Sequence, residues 1–108
     1  MIRVNIKPLS VNQCWQGKRF KTAKYKAYEK QLLLMLPPIF AVEPPYEVKY
    51  TFGFSSANCD IDNPVKPLQD ILQKKYGIND RYINKMTVEK IKVKKGKEFI
   101  EFEITNVK

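Results

Sequence analysis

Histidine is absent from this 108-residue chain. That absence excludes His-based acid–base catalysis, Ser-His-Asp hydrolysis and imidazole metal ligation within the chain. Cysteine is nearly as scarce. Cys14 and Cys59 are the only two, and they form neither a metal-ligand spacing nor a disulfide framework, so both read as reduced thiols. Acidic residues are few, 11 against 20 Lys and Arg, which leaves a formal charge of +9. Long hydrophobic runs are also missing. The longest apolar tract, Leu32 to Leu36 with Ile39 to Val42 beyond it, is broken by Pro37-Pro38. A membrane helix needs roughly 20 apolar residues. The start, Met1-Ile2-Arg3-Val4, reads as an alternating strand and not as a signal peptide. The expectation is a soluble, cytoplasmic protein without membrane contact.

What is present suits one domain over residues 1–108, with 44% hydrophobic residues to supply a single core. The charge excess points to a polyanionic partner, nucleic acid first. The plainer alternative is a Lys-rich surface that only aids solubility. The cations are spread along the chain and not collected in a tail, which favours a folded basic face.

Ile2, Val4 and Ile6 alternate with polar residues and predict a half-buried strand. A polar, basic segment follows to Lys21, with Trp15 and Phe20 among Lys18, Arg19 and Lys21. Interleaved aromatics and cations suit bases and phosphates; a loop anchored by one Trp is the competing reading. Thr22 is an N-cap candidate for a helix to about Leu36, with Tyr25, Tyr28, Leu32 and Met35 at helical spacing. Tyr46, Val48, Tyr50, Phe52 and Phe54 make the cleanest strand pattern. A second helix is expected from about Pro64 to Lys75, starting one residue late if Pro67 disturbs its first turn, with Gly77 as its C-terminal cap. A strand from about Tyr82 to Lys94 follows. Its two apolar sets fall on opposite faces, so a bulge is expected within it. Lys95-Gly96 reads as a hairpin turn leading to a last strand over Phe99 to Ile104. The fold class is α/β (α+β): a four-stranded mixed sheet with two helices packed on it, in the order β-α-β-α-β-β.

The chemistry concentrates at Asn58-Cys59-Asp60-Ile61-Asp62-Asn63-Pro64-Val65-Lys66. A strand continuing through Asp60 and Asp62 would point both carboxylates to one face. Asn63 before Pro64 is held out of the α region, as a helix cap must be. Lys66 follows Asp62 by four residues and can reach back toward the acids. Asp80, after the second helix, is free to be returned beside them by the fold. Acids gathered in a basic protein suit a hard cation. Mg²⁺ prefers oxygen ligands and, held by carboxylates, supports phosphodiester hydrolysis. Ordinary cap and turn residues are the competing reading, and Asp-x-Asp alone is a weak motif. The Gly and closing Glu of a calcium-binding EF-hand loop are missing.

Asp60-Ile61-Asp62-Asn63, then Lys66, Asp70 and Leu72, then Asn79-Asp80 before a strand, resembles the RusA family of Holliday junction resolvases. The resemblance covers nearly the whole chain and includes Pro8 to Asn12, which resembles the family's Pro-Ser-Asn segment. It implies a homodimeric, Mg²⁺-dependent endonuclease (Mn²⁺ a possible substitute) that resolves four-way DNA junctions by paired nicking. It further implies Asp60, Asp62 and Asp80 as catalytic metal ligands and Lys66 as the essential lysine. Three departures stand out. Asn79 occupies the place of a frequent second acid, Pro64 and Pro67 flank Lys66, and Ser55-Ser56-Ala57-Asn58 replaces a basic run. DNA contact is then expected from Lys18, Arg19, Lys21 and Lys24, or from Lys74, Lys75 and Arg81. Two rival readings remain: a nuclease of broader branched-DNA or flap specificity, and a non-catalytic DNA-binding protein on the same fold.

Overall fold

The alternation from Tyr46 to Phe54 builds the centre of the molecule. In the computed structural model, which describes residues 1–17, 20–38, 42–56 and 59–107, these residues form β4 (Tyr46–Phe54). Its five aromatic and aliphatic side chains are all buried. On one side β4 pairs antiparallel with β6 (Phe99–Asn106), which in turn pairs with β1 (Ile2–Val4). On the other side it pairs in parallel with β5 (Ile83–Lys92). The result is a four-stranded mixed sheet in the order β1-β6-β4-β5.

Two helices close the core over one face of this sheet. α1 (Ala23–Met35) starts at Thr22, whose hydroxyl accepts a hydrogen bond from the Tyr25 N–H as its spacing predicts. Tyr25, Tyr28 and Leu32 are buried, but Leu36 and not Met35 completes the stripe; Met35 stays exposed. α2 (Val65–Tyr76) begins one residue later than Pro64. Pro64, not Asn63, takes the cap position, and among the described residues no side chain caps the helix. Pro67 is then the third helical residue, where the backbone N–H has no partner within the helix, so proline forfeits nothing. Gly77 ends α2 in the left-handed region at φ 72°. Leu68, Ile71 and Leu72 of α2 join Ile100, Phe102 and Ile104 of β6 in the same core.

Three expectations of connection and register change. A small hairpin, β2 (Trp15–Gln16) with β3 (Phe20–Lys21), precedes α1. The turn at Lys95-Gly96 does not join paired strands, because β5 and β6 lie on opposite sides of β4. A β4–α2–β5 crossover takes β5 to one flank, so the chain must pass the end of β4 to reach the other. The bulge expected among Met86, Val88 and Ile91 is absent: the register runs unbroken from Glu47↔Lys85 to Phe54↔Lys92, and the irregularity sits before it, at Tyr46/Glu47. Met86 and Ile91 are instead both exposed. On the uncovered face the Phe99 ring lies against Gly53, leaving no room for a side chain there, and the Arg3 guanidinium covers that ring at 3.9 Å. Among the described residues, no helix is long and apolar enough to cross a membrane.

Candidate active site

The strand does not continue through the acids. β4 ends at Phe54, whose carbonyl accepts the Val93 N–H (2.8 Å) as the neighbouring strand runs out. Asp60 to Pro64 form turns, with Asn63 N–H donating to the Asp60 carbonyl at 3.3 Å and Val65 N–H to that of Asp62 at 3.2 Å. Strand alternation therefore does not set the direction of Asp60 and Asp62, and both are exposed. Cys59 packs against the core. Asn58 lies outside the described residues.

Two long-range contacts tie this turn down. The Val11 N–H donates to the Asn63 carbonyl at 2.9 Å. Val11 opens a short 3-10 turn (Val11–Gln13) capped by the Ser10 hydroxyl, which accepts from the Asn12 N–H. The Pro8 to Asn12 stretch is thus a brace for the acidic turn. From the opposite side, Lys90 Nζ on β5 donates to the Cys59 carbonyl at 2.6 Å. No sequence signal marks either contact.

Asp80 stands on a second 3-10 turn (Asp80–Tyr82), and Asn79 caps it by accepting the Arg81 N–H at 3.1 Å. Asn79 therefore has a structural task where an acid was in question. Lys66 Nζ lies 2.9 Å from Asp70 Oδ1 and 3.1 Å from Asp80 Oδ2. Those hydrogen bonds, Asp70 first and Asp80 second, hold the Lys66 ammonium above the usual lysine range. The expected reach from Lys66 to Asp62 is not the contact made among the described residues. Asp62 precedes the helix cap, whereas Asp70 sits one turn along the helix from Lys66. The i,i+4 spacing of Lys66 and Asp70 was a readable signal for that pair.

Asp80 keeps its other oxygen, Oδ1, buried with no hydrogen-bond partner among the described residues. Behind it, the buried Tyr50 hydroxyl donates to Gln69 Oε1 at 3.2 Å. Burial, and then the charge of Asp80, pushes the Tyr50 phenol far up. The site thus has a buried floor and one carboxylate oxygen without a partner among the described residues. An all-oxygen donor set of Asp60, Asp62 and Asp80 fits Mg²⁺ in kind. Yet among the described residues no group of three or more His, Cys, Asp or Glu side chains is arranged to hold a metal ion. The fold joins Asp80 to Lys66 and Asp70, and leaves Asp60 and Asp62 on the adjoining turn.

The expected DNA-contacting cations divide. Lys18 and Arg19 lie outside the described residues. Lys21 and Lys74 both pair with Glu29, at 3.0 and 3.2 Å. Lys75 donates to the Leu33 carbonyl at 3.4 Å. Lys24 is exposed and lines a hollow of about 420 Å³ beside Tyr28 and Gln31, away from the acids. Arg81 is exposed beside Asp80, its guanidinium 5.7 Å from the Tyr82 ring. Compared with protein-family models and with curated proteins, the chain matches none.

Proposed function

We propose that this protein is a Mg²⁺-dependent endonuclease of the RusA type, resolving four-way DNA junctions by paired nicks. The observation that carries the reading is the Lys66–Asp80 pair, which joins two segments 14 residues apart beside an Asp80 oxygen that has no hydrogen-bond partner among the described residues. A structural ion pair gives no reason for a buried oxygen without a partner; a cation ligand does. Asp60, Asp62 and Asp80 would hold Mg²⁺, which supplies an activated water and charge neutralisation at the phosphate.

The side chains do the remaining work. Lys66, doubly paired with carboxylates, stays protonated at neutral pH, so it serves as a fixed cation and not as a general base. Placed at the scissile phosphate, a compact ammonium offsets charge that develops in the transition state. Asp70 holds that ammonium on the helix. Arg81 and Lys24 extend the positive surface that would meet the junction arms, with affinity falling steeply as salt rises. The test is incubation with a mobile four-way junction and a matched linear duplex, each with and without Mg²⁺. Junction-selective, Mg²⁺-dependent paired nicks are expected. Cleavage of flaps at the same rate would favour the broader nuclease, and tight binding without cleavage the non-catalytic protein.

A further inference from the structure

The cations expected to meet DNA are largely engaged: Lys21 and Lys74 by Glu29, and Lys75 by the Leu33 carbonyl. A different set stands open. Residues 90–97 hold five lysines and no acid, a quarter of the chain's 20 Lys and Arg within eight residues. All five are exposed. Lys90 is engaged by the Cys59 carbonyl. Among the described residues, the side chains of Lys92, Lys94, Lys95 and Lys97 have no ion pair and no hydrogen bond. Like charges crowded in this way repel one another and weaken the folded state. An anion from outside relieves that repulsion.

The crowded stretch is held in one shape. β5 ends at Lys92, and the Val93 N–H donates to the Phe54 carbonyl at 2.8 Å. The Lys97 N–H closes a turn on the Lys94 carbonyl at 2.9 Å, with Gly96 at φ 91°, where glycine meets no steric cost. Glu98 then uses both of its oxygens. Oε1 accepts the Gly96 N–H at 2.8 Å, and Oε2 accepts the Ser55 hydroxyl at 2.7 Å. The Ser55 bond foremost, and more weakly the charge of Lys7, hold the Glu98 carboxyl below the usual carboxylate range. The one carboxylate in this connection is thus tied to Gly96 and Ser55 and pairs with none of the four open lysines. A lysine run that only aids solubility has no use for such a latch.

The latch also places the turn beside the acids. Ser55 lines a hollow of about 140 Å³ together with Lys7 and Cys59, and Asp60 is the next residue. Lys92 follows Lys90 on the same face of β5, roughly 7 Å farther along the strand, and Lys90 holds the Cys59 carbonyl.

We propose that the latched turn at Lys94, Lys95 and Lys97, together with Lys92, binds the phosphate backbone of a DNA duplex arm that runs outward from the acidic turn. Lys94, Lys95, Gly96 and Lys97 bring no apolar side chain, which an anchor on a membrane surface needs. Ammonium groups on a fixed turn position a duplex without reading its bases, as an enzyme that recognises branch shape requires. The proposal rests on the nuclease reading for the identity of the polyanion, but its test needs no cleavage.

Binding of a four-way junction is measured by fluorescence anisotropy in EDTA, between about 50 and 200 mM salt. The triple variant Lys94→Ala, Lys95→Ala, Lys97→Ala should lower the salt slope by about 3, one for each lost phosphate contact. The triple variant Lys26→Ala, Lys30→Ala, Lys49→Ala removes the same charge from α1 and β4 and should lower it by less than about 1. All six lysines are exposed, so folding is not at stake. Replacing the three turn lysines by Arg should keep the parent slope. Equal losses in the two Ala triples, or a parent-like slope in the turn triple, overturns the assignment. So does parent binding to anionic vesicles as tight as to the junction, if the turn triple abolishes it. A parent that nicks junctions while the turn triple keeps the parent slope loses the turn and spares the nuclease reading. A parent that shows the expected slopes and never nicks with Mg²⁺ does the reverse.

Discussion

Two neighbouring parts of the site are built differently. The Lys66–Asp70–Asp80 cluster is held by side-chain hydrogen bonds near 3 Å over a buried Tyr50–Gln69 floor. The turn carrying Asp60 and Asp62 is held, among the described residues, by hydrogen bonds to its backbone from Val11 and Lys90 and by the packing of Cys59, with both carboxylates exposed. One half is preassembled; the other offers two carboxylates that no described residue engages. The difference teaches which half a cation would still have to engage: the exposed carboxylates of the turn, beside an Asp80 already held.

The sharpest way to break this comparison is to neutralise the acids one at a time. Asp60→Asn, Asp62→Asn and Asp80→Asn should each reduce Mg²⁺-dependent junction cleavage below detection, with junction binding in gel shifts unchanged or tighter. Parent-like cutting by the two turn variants would remove the exposed half from the site. Lys66→Ala comes next. Single-turnover cleavage should fall by about 10²–10³, with affinity changed only a few-fold. Lys66→Arg should recover little, since a planar guanidinium is a poor substitute for a compact ammonium. Lys74→Ala, on the same helix but paired with Glu29, should cut nearly as well as the parent.

Asp70→Asn probes what holds the lysine. A loss of roughly tenfold, about 1.4 kcal/mol in barrier, is expected, with the Lys66 pKa measured by NMR moving down toward its ordinary 10.5. The sign follows from linkage. A lysine raised by its partners contributes stability fully below that ordinary value and loses it as pH rises through the raised one. Cleavage between about pH 7 and pH 9 should therefore show no ionisation of Lys66. The smallest effect separates engaged from open cations. Lys24→Ala should reduce the salt slope of junction binding by about 1, and Lys21→Ala, with Glu29 already on that ammonium, by less.

Local signals in the sequence carried most of the fold. Thr22, Gly77 and the aromatic alternation of β4 each act within a few residues, and each does what its chemistry predicts. Strand order is different in kind. Lys95-Gly96 looks like a hairpin turn locally, and only the crossover through α2 places β5 and β6 on opposite flanks of β4. In the site, the Lys66–Asp70 spacing was legible because it lies on one helix. The Lys66–Asp80 pair required the chain after α2 to return, which no pattern encodes. The Asp60–Asp62 strand failed because alternation says nothing about where a neighbouring strand stops offering hydrogen bonds.

The pairing of β1 with β6 also bears on how the molecule forms. Arg3 reaches Glu101 across 98 residues of sequence, and Ile2 lies opposite Phe102. Loop-closure entropy grows only slowly with length, so this long reach costs little stability. It costs time instead. Contacts so distant in sequence slow two-state folding, and the edge of the sheet at β1 can be laid down only after β6 has been synthesised. Until then β1 has no strand to pair with, and the flank of β4 that β6 takes stays open.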